Sequence, residues 1–123
     1  MPVTARDLAS TQRFIDYRPL AVVVQRSNRV ATPDGGHTTT PLPDLAAQTV
    51  RIVEKLPTQA TTQRTNESGD TVFADKVAIA MPSADFQRKD MFTAYGELWE
   101  VLHVSRLPEW RLSMELYSHG TFP

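Results

Sequence analysis

The chain has 123 residues, no cysteine and a formal net charge of −1. This length predicts one domain, and the missing cysteines exclude disulfides, thiol catalysis and zinc held by cysteine. The near-neutral charge argues against strong duplex-DNA binding by a monomer, because such binding relies on a basic excess to displace counterions from phosphates. Neither a signal-peptide pattern nor an apolar stretch of membrane-spanning length is evident, so we expect a soluble intracellular protein.

The first segment, residues 1–17, predicts a short helix or an arm that orders on another subunit. Thr4 suits the N-cap of a helix over about residues 4–12, and Asp7 stands where a capping box has its acidic residue. Two turns of helix are marginal in isolation, so both interpretations stay open.

The segment Leu20–Arg26 is rich in valine and predicts a strand. Pro33–Gly36 has the composition of a turn, and Thr38–Thr40 then predicts a strand that returns along Val22–Arg26. The turn lacks the lysine and the following helix of a phosphate-binding loop, which favours a surface turn.

The next strand is predicted over Ala47–Leu56, with Val50 and Ile52 on one face. Residues 57–70 contain no large apolar residue except for the proline that opens them, so we expect a polar loop that is solvated or held by another part of the structure. Thr71–Met81 resumes the strand pattern.

Met91–Val104 predicts a β-hairpin in which Gly96 takes the first central position of a type II′ turn. Trp110–Tyr117 alternates apolar and polar residues and predicts a strand with one face in a core. If Leu98 and Leu102 face that core, Trp99 faces outward.

Together these segments predict a mainly β protein: a small closed or partly open antiparallel β-barrel of about six strands, with long loops and at most one short N-terminal helix. Closure is favoured because it removes exposed strand edges. The barrel is expected over residues 18–117, with a C-terminal tail over 118–123.

No pattern in the chain predicts catalysis. His37, His103 and His119 match no metal-binding spacing, and no serine lies in a nucleophile elbow. A small filled barrel offers little concavity for a pair of catalytic carboxylates. We therefore expect no enzyme activity, no metal and no cofactor.

The aromatic residues near the C-terminus favour packing or assembly over nucleic-acid stacking. Basic residues do not gather around Phe92, Tyr95, Trp99 and Trp110, as a stacking platform for bases requires. Tyr95 and Trp99 are the candidates for a subunit interface, since an outward tryptophan is a common interface hot spot.

The order of these pieces resembles the head-closure or stopper proteins of long-tailed bacteriophages, also called head–tail joining or connector proteins. The resemblance runs from Leu20 to Tyr117. It rests on the strand ending in Gln25-Arg26, the glycine turn before a threonine-rich return, and a strand like Thr49-Val-Arg-Ile-Val. It also rests on Asp90-Met-Phe-Thr-Ala-Tyr-Gly-Glu-Leu-Trp-Glu-Val and a final Arg111-Leu-Ser-Met-Glu-Leu.

This resemblance implies a non-enzymatic neck protein of the virion. It implies a homo-oligomeric ring of six or twelve copies below the portal and adaptor proteins, which closes the channel for double-stranded DNA and presents a docking surface to a tail terminator or tail-completion protein. No membrane is involved. The polar loop would be the channel or stopper loop, with these residues: Thr58, Gln59, Thr61, Thr62, Gln63, Arg64, Thr65, Asn66, Glu67 and Ser68.

The loop over residues 28–43 is the second candidate surface, for contact with neighbouring subunits or the adaptor. A plain surface hairpin tip is the competing interpretation. The residues concerned are Arg29, Pro33, Asp34, Gly35, Gly36 and His37.

Two other functions stay open from the sequence. A tail-terminator or tail-completion protein also builds small β-rich rings. From a different class, an OB-like or SH3-like module would bind nucleic acid or peptide as a monomer.

Overall fold

A computed structural model describes residues 4–54, 63–66, 69–106 and 109–121. It confirms the fold class: the protein is mainly β, and these described residues form one helix and a nearly closed, six-stranded antiparallel sheet that resembles a barrel. The elements are α1 (Ala5–Tyr17), β1 (Leu20–Val22), β2 (Ser27–Ala31), β3 (His37–Pro41), β4 (Gln48–Glu54), β5 (Gln63–Thr65), β6 (Thr71–Phe73), β7 (Lys76–Ala80), β8 (Met91–Ala94), β9 (Glu97–Ser105) and β10 (Leu112–Thr121).

Six strands form the barrel in the order β1-β4-β7-β10-β9-β8, and every pair is antiparallel. The two ends of this sheet meet through one bridge between Gln25 and Met91. The Gln25 amide donates to the Met91 carbonyl at 2.8 Å, and the Met91 amide donates back at 3.1 Å. This bridge brings β1 and β8 together and leaves little free edge on the barrel.

The barrel interior is filled by apolar side chains. The alternation in β10 predicted this correctly, because Leu112, Met114 and Leu116 are all buried while the residues between them are partly exposed. Phe86 and Phe92 meet edge to face with 6.4 Å between ring centroids. The core residues are Val22, Val24, Val50, Ala78, Ala80, Phe86, Phe92, Ala94, Trp99, Val101, Leu112, Met114 and Leu116.

The expectation that Trp99 faces outward is wrong. Trp99 is 1% exposed and belongs to the barrel core, and its indole Nε1 donates to the Ala94 carbonyl at 3.1 Å. The prediction assumed that leucines mark the inward face of β9. The face of β9 opposite Trp99 is covered as well, since Glu100 on that face is completely buried. Both faces are therefore shielded from solvent, and the position of leucines does not show which one faces the barrel core.

A β-bulge in β9 also breaks the alternation. His103 pairs with Glu115 and Val101 pairs with Leu116, so Leu102 is an additional residue with no partner on β10. The bulge shifts the later residues by one position, and Val104 therefore packs against the core from the same side as Val101.

The turn between β8 and β9 differs from the predicted type II′. Ala94 pairs with Glu97, so Tyr95 and Gly96 are the two central residues, with φ of 53° and 76°. Positive φ at both positions is typical of a type I′ turn, in which tyrosine is an unusual first residue.

The N-terminal segment is a helix, and its predicted start is confirmed. Thr4 is the N-cap, and its side chain forms a reciprocal capping box with Asp7. The helix continues to Tyr17, five residues beyond the predicted end at Gln12, and it stops two residues before Pro19.

Helix α1 packs against the outer face of β4 and β7, which explains its greater length. Ile15 is buried, and Arg51 on β4 donates to the Phe14 carbonyl at 3.0 Å. The Arg51 guanidinium also lies 4.1 Å from the Phe14 ring centroid and 5.3 Å from that of Tyr17.

Two predicted boundaries also require correction. Thr38–Thr40 returns along β2 rather than along Val22–Arg26, since Val22 pairs with Gln48 of β4. The predicted tail from residue 118 is wrong in its first part, because β10 continues to Thr121, which pairs with Glu97.

Candidate assembly surface

Two hairpins extend from the barrel connections, and they contain the described parts of both loops that the sequence singled out. The first pairs β2 with β3, and the second pairs β5 with β6. Each is a separate two-stranded sheet. An isolated two-stranded hairpin is marginally stable in water, so the contacts at its base and faces decide its behaviour.

Arg26 fixes the base of the β2–β3 hairpin. Its Nε donates to Oδ1 of Asp90 at 2.8 Å and its Nη2 donates to Oδ2 at 2.7 Å, so the pair is bidentate. Asp90 is 1% exposed and also accepts from the Gln87 amide, while Asp85 contacts Arg26 at 3.1 Å. The hydrogen bond to Asp90 is the main cause that raises the pKa of Arg26, so the guanidinium stays charged at every relevant pH.

Backbone bonds tie the returning chain to the same base. The Leu42 amide donates to the Arg26 carbonyl at 2.8 Å, and the Leu45 amide donates to the Val24 carbonyl at 3.2 Å. With the Gln25–Met91 bridge, these bonds hold both chain segments of the hairpin against the barrel. The hairpin therefore leaves the barrel in a fixed direction.

The tip of this hairpin has a tight polar turn. Thr32 bonds to Gly36 through its amide, and Gly35 has a φ of 89°, which favours glycine. The Asp34 carboxylate accepts from the Thr32 hydroxyl and from the Gly36 amide, and the Thr32 bond is the main cause that lowers the pKa of Asp34. The tip residues Pro33, Asp34, Gly35 and Gly36 are exposed.

The other two predicted contact residues lie in the strands of this hairpin. Arg29 is in β2 and His37 is in β3, as the first residue of the return strand. The structure thus places all six predicted contact residues in one hairpin.

The β5–β6 hairpin, in contrast, is attached to the barrel wall. Arg64 pairs with Glu115 of β10 at 2.7 Å, and Arg88 donates to the Thr65 carbonyl at 3.3 Å. Asn66 is 6% exposed, and its Oδ1 accepts from the Asp70 amide at 2.9 Å. Part of the predicted polar loop is therefore a strand held by this subunit's own barrel.

Only some of the predicted stopper residues lie in the described part of the chain. Gln63, Arg64 and Thr65 form β5, and Asn66 starts the turn. The other predicted residues lie outside the described part of the chain: Thr58, Gln59, Thr61, Thr62, Glu67 and Ser68.

Tyr95 stands at the tip of the β8–β9 turn with 67% of its surface exposed. Nearby at the same end of the barrel, the Lys76 ammonium pairs with Glu54 at 2.7 Å, and this hydrogen bond is the main cause that raises the pKa of Lys76. Of the two predicted interface residues, Tyr95 is available to a partner and Trp99 is not.

Sequence reasoning missed the Arg26–Asp90 pair and the exposed Phe73 on β6. Arg26 and Asp90 are 64 residues apart, and no local pattern connects them. Phe73 is 47% exposed, which the strand pattern of Thr71–Met81 did not indicate. No sequence pattern predicted the buried Glu100 either, whose Oε1 lies 2.8 Å from Nε2 of His119.

The described surface includes a groove beside α1. This groove has a volume of about 380 Å³ and lies between α1 and the ends of β4 and β7, where Gln12 donates to Asp16 at 2.8 Å. Among its described lining residues, Asp16 is the one ionisable group. Within the described ranges, no three His, Asp or Glu side chains are grouped to hold a metal ion. The one described helix is too short and too polar to cross a membrane.

No protein-family model matches the chain, and the search of curated proteins finds no match either.

Proposed function

We propose that this chain is a structural protein of a phage neck, a head-to-tail stopper that forms a ring of six or twelve copies below the portal and adaptor proteins. In this role it closes the DNA channel after packaging and presents a docking surface to the tail proteins. It acts by assembly rather than by catalysis, and its location is the virion. The resemblance of the residue order supplies the particular family.

One observation supports an assembly role most directly: a filled, nearly closed barrel from which a hairpin with a fixed base extends. Because apolar side chains fill the barrel interior, we place the function on the surface of the molecule. Arg26, Asp90 and the Gln25–Met91 bridge orient the hairpin before any partner binds, which reduces the entropy lost on docking. The net charge of −1 suits a ring through which DNA must pass without strong attachment to phosphates.

The test is electron microscopy of the intact particle together with the purified chain. We expect the chain in the neck, as a closed ring of six or twelve copies beneath the adaptor. A mobility-shift assay at several salt concentrations separates the rival function. A chain that stays monomeric and binds DNA tightly, with affinity falling steeply as salt rises, would support the OB-like or SH3-like module and overturn the stopper.

A further inference from the structure

The β2–β3 hairpin has a free strand edge that continues the wall of the barrel. The backbone groups of Arg26 and Thr32 form hydrogen bonds towards β3. Because this direction alternates along a strand, the odd-numbered residues of β2 point their amides and carbonyls to the opposite edge of β2. That edge begins at Gln25, which already pairs with Met91. Beyond Gln25, no strand in the described ranges pairs with it.

The opposite edge of this hairpin is a poorer template. Leu42 bonds towards Arg26, so the backbone of Pro41 lies on the outer side of β3, where proline has no amide to donate. Proline on an edge discourages strand pairing. The hairpin therefore offers one usable edge, that of β2.

A second strand edge lies on β6, and no strand among the residues that the structure describes pairs with it. The Asn66 amide donates to the Asp70 carbonyl, so the backbone of Asp70 points towards β5. Since this direction alternates along the strand, the backbone groups of Thr71 and Phe73 point away from β5. β5 packs against β9, so β6 is the outer strand of its hairpin. Phe73 stands beside this edge with 47% of its surface exposed, where an apolar anchor would strengthen backbone pairing.

We propose that the β2 edge of one copy pairs with the β6 edge of a second copy, with Phe73 covered at the junction. The inference rests on the proposed function, since it supplies the subunit contact of the ring. The two edges are different surfaces of one chain, so the contact is heterologous: each copy uses its β2 edge on one neighbour and its β6 edge on the other. Repetition of such a contact closes a ring when the rotation allows it.

The chain has no cysteine, which makes a cross-linking test clean. We would introduce Ser27→Cys on β2 and Thr71→Cys on β6, both at exposed positions, and treat the protein with a short bis-maleimide. We expect a ladder of covalent oligomers on a denaturing gel. The control pairs Ser27→Cys with Ser10→Cys on the exposed face of α1, and it should give no ladder.

A substitution on the β6 edge tests the same contact by assembly. Phe73→Lys places a charge beside the edge, and we expect self-association to weaken at least about tenfold by light scattering. Tyr17→Lys is the matched control, because Tyr17 is an exposed aromatic residue on α1, which packs against β4 and β7. Far-UV circular dichroism should show both variants folded, since neither side chain belongs to the core.

The outcomes separate this inference from the proposed function. Rings that give no ladder and tolerate Phe73→Lys would overturn the β2–β6 pairing and leave the stopper proposal standing. A ladder of open chains without closed rings would support the pairing and count against a ring. A chain that remains monomeric at high concentration and gives no ladder would overturn the pairing.

Discussion

The two hairpins are built alike but are stabilised differently. The β5–β6 hairpin lies on the barrel wall and is held along its strands by Arg64 and Glu115, while the β2–β3 hairpin is held at its base by Arg26 and Asp90. The Arg64 pair is about a quarter exposed on both sides, whereas Asp90 is almost fully buried. Attachment at the base fixes the direction in which the β2–β3 hairpin leaves the barrel, whereas attachment along one face makes the β5–β6 hairpin a cover for the barrel wall.

The largest effect is expected at the base of the β2–β3 hairpin. Arg26→Ala leaves the buried Asp90 carboxylate without its main partner, and we expect a loss of about 3 kcal/mol in the free energy of unfolding. Urea denaturation measures this loss. Arg26→Lys keeps the charge but not the bidentate geometry, so its cost should be smaller. A cost below about 1 kcal/mol for Arg26→Ala would show that the base is not fixed by this pair.

A smaller effect is expected on the wall-bound hairpin. Arg64→Ala removes an ion pair that is partly screened by solvent, so the free energy of unfolding should fall by about 0.5–1 kcal/mol. Hydrogen exchange should accelerate in β5 and β6 and remain unchanged in β2 and β3. Arg88→Ala, which removes only the 3.3 Å contact to the Thr65 carbonyl, is the control and should alter exchange less. Equal acceleration of hydrogen exchange in both hairpins would contradict the view that Arg64 stabilises only the β5–β6 hairpin.

The smallest effect concerns the tip of the β2–β3 hairpin. Hydrogen bonding to Thr32 holds the pKa of Asp34 below its usual value of 3.8, so the tip gains stability above that pH and loses it as the pH falls through the lower, folded-state pKa. Thr32→Val removes the hydroxyl and keeps the branched shape, and the pKa of Asp34 should then rise towards 3.8. An NMR titration of the Asp34 carboxyl carbon in the original chain and in the variant checks this. An unchanged Asp34 titration in the variant would show that another group stabilises the carboxylate.

Local patterns were sufficient for much of the fold. The capping box of Thr4 and Asp7 and the period-two alternation of β10 need only neighbouring residues, and both were predicted correctly. The errors arose where a second layer or a bulge intervened. The outward expectation for Trp99 is wrong because both faces of its strand are covered, so leucines do not mark the inward face. The turn at Tyr95 differs from the predicted type because its register depends on where β8 and β9 pair.

The sequence by itself determined the class of the protein: a cysteine-free, near-neutral, mainly β domain with a helix-capping pattern at its N-terminus and two long polar connections. These properties follow from composition and from periodicities that extend over a few residues. Only the tertiary structure decided that Gln25 meets Met91 to close the barrel, that Arg26 meets Asp90 across 64 residues, and that one polar connection is partly attached to the wall. Such contacts depend on which distant segments the closed sheet brings together, and no local preference of the chain encodes them.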